Sequence, residues 1–429
     1  MEHIHGFLTQ NQYVVEPTFT LTTVNLREAF VLNQIPSDDI TVMCVLISYP
    51  KQWTTTTDIF QYIKPKARKK LRKNKKTFFV FDASTEGFST IHQEPYYDML
   101  YHNAKIYGVD PERIFFFSSN MKDVENLTRY NMVHRIEKSI NVFPYLNFEP
   151  MILGVQGQVE ISTIPLNDKN FPYADVIHKR FNTSVEQTKK LYRDEKYGKI
   201  FLSLSRVNRP HRTLSAYDIF NSEYFKDGLV SHDQITDNLN FYSNNLPKNS
   251  GITEKHLGKF KKALPLTVDT EDFKTNHALG LHSNLHDSTL FQIVNETFVE
   301  DYLGTSLFWS EKTFRSMYHM QPFVIWGQPG ANQKLNDYGY RTYKDWFNLS
   351  FDDIKDNTKR WRALWTQCQG IIDNIRKMPL DRQINWKFQN SDVLKHNFEV
   401  MLKGKYKKKQ FKQAVCLMRK LADEKSINT

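Results

Sequence analysis

At 429 residues the chain is long enough for two domains with complete cores, and its formal charge of +11 makes an anionic partner worth looking for. No run of roughly eighteen apolar residues occurs, so no transmembrane helix is expected, and MEHIHGFLTQNQ has neither the basic nor the apolar part of a secretory signal. The three cysteines, Cys44, Cys368 and Cys416, lie far apart without metal-ligand spacing, which argues against disulfide support and for a reducing, cytoplasmic setting.

Taken in chain order, residues 1–38 show a weak strand and helix pattern that ends before Pro36. ITVMCVLISYP predicts a buried strand stopped by Pro50. A helical stretch from Asp58 leads into KPKARKKLRKNKK, Lys64 to Lys76, with nine bases and no acid. KTFFVFDAS is the next buried strand, with Asp82 at its end. Pro95 to Gly108 reads as a helix, Pro95 suiting its first turn and Gly108 its end. RIFFFSSN is a strand, Asp123 to Lys138 a helix, and INVFPYLNF a shorter apolar run. Strands alternating with helices predict a parallel α/β sheet.

Residues 150–175, polar with Pro165 and Pro172, read as a linker. A helix from Ser184 to Tyr197, ended by Gly198, then leads to the strand KIFLSLS and a second α/β unit. Between Phe225 and Leu279 many Asn, Asp, Lys and Ser loosen the pattern into helical insertions. The second sheet resumes with FQIVNETF, closed by Glu296, and ends near RTYKDWF. Within it Ser310 is the expected N-cap of a helix running through about Met320, because its hydroxyl can accept from the amides of the first turn. PFVIWG is a short buried strand before the turn at Gly327, Pro329 and Gly330. From Asp352 the periodicity is helical, with an apolar face at Trp361, Leu364, Trp365 and Cys368. The expected division is a first Rossmann-like domain over 1–170, a second over 180–350 with an insertion near 225–279, and C-terminal helices over 351–429.

Three constellations carry chemistry. SLSRVNRPHR places Arg206, Arg209, Arg212 and His211 just past a strand, and arginine suits phosphate because its fork donates two parallel hydrogen bonds. Ser310, Glu311 and Lys312 open a helix at the carboxyl end of a strand, where free amides and a cation favour phosphate and an acid can accept from ribose hydroxyls. Acid for ribose and cations for diphosphate are the chemistry of a nucleotide-sugar donor site, although an ordinary βαβ unit with a capped helix or a surface basic loop would read alike. Gly330 is a candidate for close backbone approach to the donor. In DASTEG, Glu86 is the first choice and Asp82 the second for the general base of a transfer to a hydroxyl, with His92 and Glu94 close behind. His282 and His286 would share a helix face, as a metal site requires, but Gly280 weakens a helix there and no third ligand is evident; no metal site is expected.

The charge is concentrated. Lys403 to Lys412, KGKYKKKQFK, adds six bases without an acid, and setting aside both basic runs, fifteen charges, leaves the rest of a +11 chain at −4. Such patches suit a polyanion by counterion release, with Lys69, Lys70, Arg72, Lys407 and Lys408 as the contacts, or they are solvated faces of a lysine-rich chain. The first run precedes KTFFVF and so should lie at the amino end of that strand, away from any cleft.

The segment Phe291 to Gly330 resembles the donor domain of GT-B glycosyltransferases, most closely the fucosyltransferase-type motif: Asn295-Glu296-Thr297 at a strand end, Ser310-Glu311-Lys312 at a helix start, and the strand Pro322 to Gly327. The spacing between the two acids is longer here. A weaker resemblance to bacteriophage glycosyltransferases runs through FDASTEGF, SLSRVNRPHR and SEKTFR. The resemblance implies two Rossmann-like domains facing a cleft, a C-terminal helix crossing back in part, and a nucleotide-diphosphate sugar, first a UDP-sugar, used without a metal. It implies donor contacts from Arg206, Arg209, Arg212, Glu296, Ser310, Glu311, Lys312 and Gly330. With the basic runs, it favours double-stranded DNA carrying a hydroxymethylated pyrimidine, such as hydroxymethylcytosine, as acceptor. A cell-surface glycan, lipid or protein acceptor, and a non-catalytic nucleic-acid-binding protein, remain the other readings.

Overall fold

The computed structural model describes residues 3–5, 8–9, 12–13, 41–48, 55–62, 65–84, 96–146, 148–149, 152, 172–194, 198–205, 209–235, 250–268 and 283–427. It is an α/β fold with two sheets. The first has the order β1 (His3–His5), β4 (Thr41–Ser48), β5 (Thr77–Ala83), β6 (Ile114–Ser118), β7 (Asn141–Pro144), with β2 (Leu8–Thr9) and β3 (Gln12–Tyr13) forming a separate hairpin. β1 is antiparallel to β4, and the other pairs are parallel. Every residue of β5 and β6 is buried, which explains why FFVF and IFFF are unbroken apolar runs.

The helices α1 (Pro65–Lys73), α2 (Tyr96–Tyr107) and α3 (Asp123–His134) belong to this first sheet. On one face, Phe79, Phe81 and Phe116 pack with Tyr96, Tyr97 and Leu100 of α2 and Leu71 of α1. On the other, Phe78, Val80, Phe115 and Phe117 pack with Phe411, Val415 and Met418 of the last helix in the chain. α3 stops at His134, short of the expected Lys138. Arg135 turns left-handed at φ 50° and the Ile136 amide returns to the Asn131 carbonyl at 3.0 Å, which closes the helix.

The second sheet contains β8 (Lys199–Ser205), β9 (Gly228–His232), β10 (Thr289–Asn295) and β11 (Phe323–Trp326), all parallel, in the order β11-β10-β8-β9. Around it lie α4 (Tyr173–Leu191), α5 (Pro210–Phe220), α6 (Glu254–Ala263), α7 (Ser283–Asp287), α8 (Glu311–Tyr318), α9 (Asn357–Arg376), α10 (Leu380–Phe388) and α11 (Ser391–Lys403), and α12 (Lys405–Ile427) ends the chain. The core of this part runs through Phe201, Ile293, Trp326, Trp361 and Trp365, so the apolar face expected on the C-terminal helix is indeed inside.

Three expectations need correction. α4 begins at Tyr173, inside the stretch read as linker, and Ser184 is not its start but a buried mid-helix residue. Its hydroxyl is satisfied by tertiary partners, 3.3 Å from Asp287 Oδ1 and 3.2 Å from the His319 carbonyl, so it does not compete with the helix backbone. The region read as helical insertions contains a sheet strand, β9. It opens on Gly228 because the Phe201 ring would lie 2.3 Å from any Cβ there. The second sheet ends at Trp326 rather than near RTYKDWF, which forms turns and buries Tyr343, Trp346 and Phe347.

Candidate functional site

In the second sheet the chain passes from β8 to β9 on one side and then crosses back to β10 on the other. Such a reversal opens a crevice at the carboxyl ends of the two central strands, where parallel sheets bind ligands. Those ends carry Ser203, Ser205, Asn295 and Glu296. The Asn295 amide nitrogen donates to Ser203 Oγ at 3.1 Å and Ser205 Oγ at 3.0 Å, tying the two strands together.

Above the strand ends sits the start of α8. Ser310 is extended and its hydroxyl accepts from the Lys312 amide, so it caps the helix. Glu296 is fully buried and holds this corner. Its Oε1 accepts from the Ser310 amide at 3.1 Å and Thr313 Oγ1 at 2.6 Å, and its Oε2 from the Thr297 amide at 3.0 Å. Glu296 therefore pins the helix start to the end of β10. Lys312 Nζ lies 2.8 Å from Glu311 Oε1, 3.1 Å from Ser310 Oγ and 3.4 Å from Thr297 Oγ1. Burial pulls the Lys312 amine below its ordinary pKa, even though Glu311 opposes it. At Glu311 burial works against ionisation, but Lys312 and Arg315 outweigh it and the carboxyl titrates lower than usual.

The other cations come from α5. Pro210 occupies its first turn, and Arg209 precedes it in extended conformation. Arg209 NH1 donates to the Thr297 carbonyl at 2.7 Å, and its guanidinium lies 5.2 Å from the centre of the Phe298 ring. Arg212, buried, donates to the Glu296 carbonyl at 3.3 Å. His211 Nε2 lies 3.0 Å from the same carbonyl. Burial first, then the charge of Arg212, drives the His211 pKa well below its ordinary value and keeps the ring neutral. The structure thus brings together Arg209, Arg212, Glu296, Ser310, Glu311 and Lys312.

Other expected residues lie elsewhere. Arg206 and Glu86 fall outside the described residues, as do His92, Glu94 and His282. Gly330 has a φ of +81°, which favours glycine, and its amide already donates to the Asp352 carbonyl at 2.8 Å. Asp82, at the carboxyl end of β5, is buried and accepts from the Ser84 amide at 3.0 Å and Ser84 Oγ at 2.6 Å. Burial pushes its pKa up to about 6, against the lowering effect of those hydrogen bonds. His286 is enclosed, with Nδ1 2.6 Å from Gln321 Oε1. Lys69, Lys70 and Arg72 are on α1, at the amino end of the first sheet, and the side chains of Lys407 and Lys408 fall outside the described set.

The first sheet braces the site. Asn120 accepts from the Leu307 amide at 3.0 Å and donates to the Thr305 carbonyl at 3.0 Å, and the Met121 amide donates to the Leu307 carbonyl at 2.9 Å. Lys122 pairs with Asp301 at 2.9 Å. Phe148 meets Phe308 edge to face, and Phe308 lies 5.9 Å from Phe298. The carboxyl end of β6 is thereby fastened to the loop that leads into Ser310.

Two supporting residues escaped the sequence reading. Arg315 is buried on α8 four residues after Glu311, a spacing that places the pair on one helix face and was open to view in SEKTFR. Arg360, buried on α9, donates to the Val299 carbonyl at 2.7 Å and the Gly327 carbonyl at 2.9 Å, holding the chain past β10 and β11. No local signal marks it. Comparison with family models, curated proteins and solved structures finds no match to this chain.

Proposed function

We propose that the protein is a glycosyltransferase of GT-B type. It moves a sugar from a nucleotide-diphosphate sugar, a UDP-sugar first, to a hydroxyl acceptor, and the favoured acceptor is a hydroxymethylated pyrimidine in double-stranded DNA. The observation that carries the reading is the convergence of Arg209, Arg212 and Lys312 on the amide end of α8, at the point where the strand order reverses. Glu311, beside Lys312, is the acid for the ribose hydroxyls. DNA is favoured by the two basic runs and by the resemblance to phage enzymes.

In the transfer, the acceptor oxygen forms a bond to the anomeric carbon as the bond from that carbon to the diphosphate oxygen breaks. The diphosphate leaves with the electron pair, and the three cations and helix amides stabilise its charge. Glu86 is the first choice of base for the acceptor proton, and Asp82, ionised above its pKa of about 6, is the second. The test is nucleotide-diphosphate release from a panel of nucleotide sugars, with hydroxymethylcytosine DNA or unmodified DNA. Release that depends on the modified DNA is expected, and Lys312→Ala should cut it about 100-fold or more while the circular dichroism stays unchanged. Release from no donor, or release indifferent to Lys312→Ala, would remove the reading.

A further inference from the structure

Lys312, the cation at the start of α8, is already paired. Its Nζ lies 2.8 Å from Glu311 Oε1, and the two side chains are only 14% and 12% exposed. In so enclosed a place, a lysine drawn onto a diphosphate leaves its carboxylate without a counter-ion, and an uncompensated charge away from water is strongly destabilising. Either the pair holds and Lys312 gives little to an anion, or a second cation takes over Glu311.

Arg315 is placed to be that cation. It follows Glu311 by four residues, so the two lie one turn apart on the same face of α8. At 2% exposure its side chain serves an internal partner rather than a ligand, and its guanidinium is a permanent charge. Burial lowers the Arg315 pKa, while the carboxylates of Glu311 and then Glu296 pull it back up, so these are the two acids that face it. Glu296 is held by the amides of Ser310 and Thr297 and by the Thr313 hydroxyl. Glu311 accepts from Lys312, its neighbour in sequence. Adjacent residues do not ordinarily face each other on a helix, whereas residues four apart do, so a change of rotamer at Glu311 replaces an unusual helix pair by the ordinary one.

The other charges at this corner are engaged. Arg209 and Arg212 of α5 donate to the Thr297 and Glu296 carbonyls. His211, and the pair His286 and His319 that feel the Arg315 charge alongside Arg180 and Lys387, are buried and neutral.

We propose that Arg315 is a positioning residue: when an anion reaches the start of α8, Glu311 exchanges Lys312 for Arg315, which frees the lysine for the diphosphate and leaves the carboxylate ionised for the ribose. The inference deepens the donor-site reading and rests on it. In the empty protein the Glu311–Lys312 pair is a latch on the cation, and Arg315 sets how readily it opens. An acid and a lysine side by side at one helix start then serve the two halves of a nucleotide in turn.

The test is calorimetric binding of inorganic pyrophosphate, which has no ribose, to the full chain. At pH 7 Arg315→Met should weaken binding about tenfold, because Glu311 keeps Lys312, and Arg315→Lys should restore most of it. In a Glu311→Gln background Lys312 is already released, and Arg315→Met should then weaken binding less than about twofold. The deficit of Arg315→Met should also close as pH falls and Glu311 takes up a proton, since a neutral acid no longer holds the lysine. A second readout uses the native chain with 15N-labelled arginine and stands even where thermal melts show Arg315→Met unfolded. Pyrophosphate should shift the side-chain N–H signal assigned to Arg315 through Arg315→Lys, and Glu311→Gln should remove that shift. Equal losses in both backgrounds, no loss at any pH, or an unmoved Arg315 signal would overturn the exchange and leave the donor site standing. A native chain that does not bind pyrophosphate would remove the donor site and the exchange together.

Discussion

The first sheet adds its parallel strands β4, β5, β6 and β7 in one direction, while the second doubles back across β8. Their carboxyl ends differ accordingly. The first presents Asp82 and the amides Asn120 and Asn126, and the two asparagines are used to hold the 305–307 segment. The second gathers three cations, two carboxylates and a helix start at the carboxyl ends of its two central strands. Charge density in the sequence points the other way, because both lysine-rich runs are carried by the first sheet. Candidate chemistry in this molecule follows from where the strand order reverses, and bulk charge sits on the outside.

The sharpest way to break that contrast is Glu296→Ala. Removing a buried carboxylate that accepts from two amides and a hydroxyl leaves Thr297, Ser310 and Thr313 without it. A loss of about 3 to 5 kcal/mol is expected in urea unfolding, with Glu296→Gln milder. A loss below about 1 kcal/mol would mean that the corner is held by something else.

Asp82 tests the first sheet by pH. Its folded pKa of about 6 lies above the ordinary aspartate value of 3.8, so the folded state holds the proton more tightly. Stability from this group therefore falls as pH rises from about 4 to about 6, and the penalty is complete above that. Asp82→Asn keeps an acceptor for Ser84 and should stabilise the fold at pH 7 by something on the order of 3 kcal/mol, fading to nothing near pH 4. If Asp82 is also the base, the same variant loses transfer. Equal melting curves at both pH values would show that burial does not shift this carboxyl.

The smallest effect belongs to the cap. Ser310→Ala should cost about 1 kcal/mol, and less than Glu296→Ala, because Glu296 still accepts from the residue 310 amide. The reverse ranking would move the anchor of α8 from the strand end to the cap.

Much of the fold was legible. Unbroken apolar runs marked β4, β5, β6, β8, β10 and β11, and for β5, β6, β10 and β11 burial of every residue explains why no alternation is needed. Ser310 announced α8 and Pro210 suits the first turn of α5, because caps are local hydrogen bonding. The start of α4 and the strand β9 were not legible. Ser184 looks like a helix start until Asp287 and His319 satisfy it, and GLVSH is short and opens on a glycine whose reason is the Phe201 ring.

The sequence alone determined most of the strands and helices, and which stretches carry arginine, lysine and acid, because periodicity and capping act within a few residues. Only the tertiary structure decided which of those charges meet. Arg212 reaches the Glu296 carbonyl across 84 residues, and Lys122 reaches Asp301 across 179. Both contacts depend on strand order and on how one sheet docks against the other, and these are settled by burying long-range apolar surface that no local pattern encodes.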